Sequence, residues 1–123
     1  MDVKLILDLH DLFLRKKLEE LEHKISFLTT DQRKDEANLF KAKRNVYDIF
    51  RKMMIASRKE GDGSIKAYQG YLHSIPQNWY VAKEQAVKHG DVEKQIVEDM
   101  KLTALNEITQ HLKDTMGERG DSL

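Results

Sequence analysis

The 123-residue sequence contains no cysteine, one proline, six glycines and one tryptophan. Without cysteine, neither a disulfide framework nor a thiolate zinc site can form. One proline and few glycines leave little to interrupt regular secondary structure. An excess of either charge is also missing: 21 Lys and Arg balance 21 Asp and Glu. No overall field therefore recruits nucleic acid or a membrane surface. Long apolar runs are absent near the start, where Leu5–Leu7 and Leu12–Leu14 are three residues each. A membrane span requires about 20 apolar residues and a signal-peptide core about 7–15. Asp2, Asp8, His10 and Asp11 interrupt any such core. These absences predict a cytoplasmic chain with no membrane partner.

What remains is 40% hydrophobic and 34% charged, the composition of long, solvated helices. Leu14, Leu18, Leu21, Ile25 and Leu28 alternate four- and three-residue steps, the rhythm of a coiled-coil seam. A first helix is expected over about residues 2–28. Upstream, Leu5, Leu9 and Leu12 keep that rhythm two positions out of phase, and eight of the twelve residues from Val3 to Leu14 are apolar. One neighbouring helix covers about three positions in seven, so this stretch needs two neighbours.

Thr29, Thr30 and Asp31 favour caps and turns and predict a tight turn, with one continuous rod to Ser57 as the competing arrangement. The second helix carries Leu39, Ala42, Val46, Ile49, Met53 and Ala56 as its seam, widened by Phe40, Tyr47, Phe50 and Met54. The polar stretch 58–64 ends it. Ser64 is expected to cap a short third helix bearing Ile65, Tyr68, Leu72 and Ile75. Pro76 divides it from a fourth holding Trp79, Ala82, Ala86 and Val87, and Gly90 stops that one. Asp91 caps a fifth over 92–116, and Gly117 ends it. No strand pattern survives. The sequence predicts an all-α fold, an antiparallel helical bundle of three long and two short helices. Residues 1–117 form its one domain and 118–123 a flexible tail.

Chemical motifs are few. Glu20 and His23 make an E-x-x-H pair, which a di-iron bundle needs twice, and their seam phase points both to solvent. Glu107 and His111 lie one turn apart, a spacing that more often makes a surface contact than an ion clamp. His10, His23, His73, His89 and His111 are scattered over four expected helices. G-x-S-x-G, the P-loop and G-x-G-x-x-G are all missing, and Gly61-Asp-Gly63 follows no strand. The expectation is a non-enzymatic protein with no cofactor, no metal and no catalytic residue.

Two surfaces stand out instead. Residues 32–60 carry nine basic and four acidic groups. Lys41, Arg44, Arg51 and Arg58 form a cationic line away from the second helix's seam, with Lys34 extending it. Such a line could follow a phosphate backbone or another anionic partner; the bland alternative is a face neutralised by acidic helices alongside. Tyr68, Tyr71, Trp79 and Tyr80, with Ile75 and Pro76, could shape a pocket, or simply anchor the short helices to the long ones. The second surface is the first helix's excess of apolar residues. Leu5, Ile6, Leu7, Leu9, Leu12, Phe13 and Leu14 are more than one narrow bundle core needs, and a surplus of that kind marks an interface, which Leu5, Leu9, Leu12 and Phe13 are expected to form. The primary functional expectation is helix–helix association, as a homodimer or with another helical protein, in a structural, adaptor or regulatory role.

Several stretches carry a resemblance: Asp31 with Arg33-Lys-Asp-Glu-Ala-Asn38, Asn45-Val-Tyr-Asp-Ile-Phe50, Ile75-Pro-Gln-Asn-Trp79, and Asp91-Val-Glu-Lys94 with Lys101-Leu102. In these the chain resembles a group of small, uncharacterised all-helical proteins of Gram-positive bacteria. The resemblance implies a helical fold and a bacterial cytoplasmic setting, and no activity. Secreted hairpins of the WXG class require Trp-x-Gly at their turn, whereas Trp79 is followed by Tyr80 and Val81.

Overall fold

The computed structural model describes residues 2–117, and these fold as helices joined by short turns, with no strand among them. Helix α1 spans Val3–Thr30, α2 Lys34–Ser57, α3 Ser64–Ser74, α4 Gln77–Lys88 and α5 Val92–Met116. A 3₁₀ turn over Arg58–Gly63 links α2 to α3. The tail expected at 118–123 lies outside the described residues.

The starts of α1 and α5 follow from side-chain capping. The Asp2 carboxylate accepts from the Leu5 N–H at 2.7 Å, and that of Asp91 from the Lys94 N–H at 3.1 Å. Each satisfies an amide that the first turn leaves without a partner. Ser64 behaves differently from expectation. It is the first residue of α3, buried, and its hydroxyl donates to the Gly61 carbonyl at 2.6 Å. The 3₁₀ turn before it presents a carbonyl where a cap would need an amide.

The turn between α1 and α2 falls two residues later than the threonines suggest. Thr29 stays helical, its hydroxyl donating to the Ile25 carbonyl at 2.7 Å. The Arg33 N–H then donates back to Leu28 at 2.8 Å and that of Gln32 to Thr29 at 3.1 Å, with Gln32 at φ 60°. This is a Schellman closure, and it excludes the continuous rod. The end of α4 repeats it: the Asp91 N–H donates to Ala86 at 2.8 Å, with Gly90 at φ 67°. Glycine occupies the left-handed position there, whereas Gln32 bears the crowding of a Cβ. We therefore expect Gln32→Gly to stabilise the fold by about 0.5–1 kcal/mol, the strain removed less the extra freedom of the unfolded chain. Thermal unfolding reads this directly; a lowered midpoint would contradict it.

Helix α1 lies along α2 and α2 along α5, while α4 packs on α5. Arg58 meets Asp8, Arg51 meets Asp11 and Arg44 meets Glu22, so α1 and α2 are antiparallel. The pairing of α2 with α5 corrects the expected antiparallel arrangement. Leu39 shares a groove with Ile96 and Val97, and Tyr47 bonds Glu107, so these two helices run parallel. The reason is the return path: α4 doubles back along α5, with Lys83 on Asp99, carrying the chain to the end where α2 began.

The core centres on Leu7, Leu14, Tyr47, Phe50, Met54, Tyr68, Ile108 and Leu112. On α2 the buried face is the one carrying Tyr47, Phe50 and Met54, while Ala56 is exposed. The face is rotated from the expected seam because α2 packs against both α1 and α5. Trp79 packs edge-on against Phe50, ring centres 6.1 Å apart. Tyr68 is buried, whereas Tyr71 and Tyr80 face outward, so the aromatic group does not form one pocket.

Candidate functional site: an imidazole pair beneath an apolar face

His10 occupies the buried stripe of α1, four residues from Ile6 and four from Leu14, and is wholly enclosed. A polar ring at such a position must find partners. Its Nε2 lies 2.8 Å from the Tyr68 hydroxyl of α3, and its Nδ1 2.9 Å from Nδ1 of His111 on α5. Two facing Nδ1 atoms can share only one hydrogen. The arrangement that serves every atom has Tyr68 donating to His10 Nε2 and His10 Nδ1–H donating to His111. In the reverse direction His10 Nε2–H donates to the Tyr68 oxygen and the Tyr68 hydrogen is left without an acceptor there. Among the described residues no buried side-chain polar atom lacks a partner.

Burial lowers the proton affinity of His10 to about 3, reinforced by His111 and opposed by Asp11. Burial lowers that of His111 as well, with Asp114 opposing. Burial pushes the Tyr68 hydroxyl upward, so it remains a donor. The pair is therefore neutral near pH 7. Phe13 covers it, its ring stacked on His111 at 3.9 Å and 7°.

A second polar cluster joins α2 to α5. The Tyr47 hydroxyl donates to Glu107 at 2.6 Å, and Lys43 reaches the other carboxylate oxygen at 3.0 Å. Burial pushes the Glu107 carboxyl up, but these two donors hold it below its ordinary value. Burial, then Glu107, raise Tyr47. Glu107 and His111 thus turn to different partners, and Glu20 and His23 are both exposed. Among the described residues no group of three or more His, Asp or Glu could hold a metal ion. No helix of the described residues is long and apolar enough to cross a membrane.

The four N-terminal residues expected at an interface divide. Leu5, Leu9 and Leu12 are 45%, 40% and 42% exposed. At 100° per residue they lie opposite Leu7, His10 and Leu14. Phe13 is different: its ring is partly buried between His111 and Tyr47. Beside the leucines an open cleft of ≈ 480 Å³ runs between Leu9, Leu12, Phe13 and Lys16 of α1 and His111, Asp114 and Thr115 of α5.

The cationic line of α2 faces acidic partners. Arg44, Arg51 and Arg58 each bind a carboxylate of α1 at 2.8–2.9 Å, and Lys41 is exposed. The Arg44 and Arg58 pairs sit at the surface and contribute at most about 1 kcal/mol each, while the Arg51–Asp11 pair is half-buried. Their arrangement lowers the positive charge this face offers a phosphate backbone. The imidazole pair itself escapes a motif search, because its members are 101 positions apart. Its one local signal is a histidine standing where the Ile6–Leu14 stripe calls for an apolar side chain. The chain matches no family model, no curated protein and no solved structure.

Proposed function

We propose that this chain is a non-enzymatic, cytoplasmic helical-bundle protein, its long helices α1, α2 and α5 flanked by the short α3 and α4, which acts by associating with a second copy of itself. The interface is the outer face of α1. The observation that carries this reading is the line of Leu5, Leu9 and Leu12, exposed directly opposite the helix's buried face. Lys4 and Lys16 stand beside the leucines with Asp8 and Asp114. With both signs on the rim, a copy turned by a two-fold can meet the face without like charges accumulating.

Burying leucines already 40–45% exposed contributes on the order of 2–4 kcal/mol per copy. Association costs about 4–15 kcal/mol. The leucines alone do not cover the upper part of that range, so the adjoining cleft belongs to the contact and the dimer is reversible and concentration-dependent.

Sedimentation equilibrium over a wide concentration range tests this. The wild-type mass should rise from 14.4 kDa toward twice that value, while Leu9→Asp with Leu12→Asp stays at 14.4 kDa with unchanged helicity. Phe13 is left intact because its stacking on His111 would confuse folding with association. A wild-type mass that never rises refutes the proposal.

A further inference from the structure

Resting on that reading of the interface, we propose that His111 makes association acid-sensitive: one proton taken up at the cleft reverses the hydrogen-bond chain through His10 to Tyr68. This chain joins the cleft wall to the core through contacts of 2.9 and 2.8 Å. In the neutral chain His111 Nδ1 accepts. An imidazolium has hydrogen on both nitrogens and can only donate. His10 Nδ1 must then accept, so the hydrogen of His10 moves to Nε2 and is donated to the Tyr68 oxygen. The Tyr68 hydrogen thereby loses its acceptor in the core.

His111 is the ring that takes the first proton. It is partly buried where His10 is wholly enclosed, and the face of Phe13 against it favours a cation. The groups facing the pair come from each packed element. On α1 they are Asp11, Lys16 and Lys17; on α2 Tyr47; on α3 Tyr68; on α5 Glu107 and Asp114. Asp11 is committed to Arg51 and Arg15, and Glu107 to Tyr47 and Lys43.

Association through the leucine face covers His111 with a second copy's apolar surface. Covering disfavours the imidazolium, so the dimer binds fewer protons than two monomers and dissociates as pH falls. Two measurements decide the matter. Nitrogen-15 spectra of the wild-type imidazoles should show His10 as the Nδ1–H tautomer at pH 8. As His111 becomes an imidazolium, His10 should convert to Nε2–H with the same midpoint. Over pH 7.5 to 5.5 the dissociation constant should rise severalfold, following the His111 titration seen in the spectra. In His111→Gln the amide oxygen can accept from His10 without titrating, so that variant should associate equally at both pH values. A wild-type dimer indifferent to pH, or a His10 tautomer unchanged through the His111 titration, overturns the inference and leaves the interface standing. A monomer at every pH overturns both.

Discussion

Acidification from pH 7.5 to 4.5 is expected to destabilise the fold by on the order of 2–3 kcal/mol through His10 alone. Burial holds its folded proton affinity at about 3, against an ordinary value of 6.5. Below 6.5 the unfolded chain binds a proton that the folded chain refuses. The contribution is therefore complete above pH 6.5 and is lost progressively as pH falls toward 3. His111, lowered by burial, adds a loss of the same sign. Carboxylates act lower on the scale. Asp8, held down first by its bond to Arg58, contributes above its ordinary value of 3.8 and loses that contribution below it. Glu36 and Glu107, held below their ordinary value of 4.5 by Arg33 and by Tyr47 with Lys43, begin to lose theirs only near the lower end. The decline from 6.5 to about 5.5 therefore belongs mainly to the histidines.

Urea unfolding followed by circular dichroism at several pH values gives the slope. His10→Leu should start less stable at pH 7.5, because Tyr68 and His111 lose a partner. Its decline across the interval should shrink by the share of His10, leaving that of His111 and, near the lower end, of Glu36 and Glu107. Parallel declines in variant and wild type would exclude His10 as the source.

The second large effect separates two leucines of one short run. Leu14 is wholly buried at the middle of α1's inner face, while Leu12 is 42% exposed. Truncating a core leucine removes transfer energy and leaves a cavity, so Leu14→Ala should cost about 3–5 kcal/mol. Leu12→Ala should fall within about 0.5 kcal/mol, as surface changes do, and instead weaken association. Urea unfolding at low protein concentration, paired with sedimentation at high concentration, resolves the two. Equal stability losses would mean that Leu12 belongs to the core and that α1 has no outer interface.

Helix boundaries were largely legible because their signals are local. Asp91, Gly90 and Gly117 act on amides and carbonyls within about a turn of themselves, so type and position suffice to read them. Gln32 was not legible. It adopts a left-handed conformation that most side chains avoid, and the closing bonds to Leu28 and Thr29 hold it there. On α2, periodicity identified an apolar surface, but packing against both α1 and α5 decided which part of it is innermost.

The sequence by itself determined that this chain is helical, where most of its helices end, and that α1 carries more apolar surface than one neighbouring helix can cover. Those properties follow from capping and spacing over a few residues. Only the tertiary structure decided what the surplus does. It turned Leu5, Leu9 and Leu12 outward, stacked Phe13 on His111 and set the arginines of α2 against the carboxylates of α1. It also brought His10 to His111 and Tyr68. The physical reason is distance along the chain: these partners are separated by 22 to 101 residues. Which of them meet is set by how α3 and α4 return the chain so that α5 runs beside α2, and no local spacing records that path.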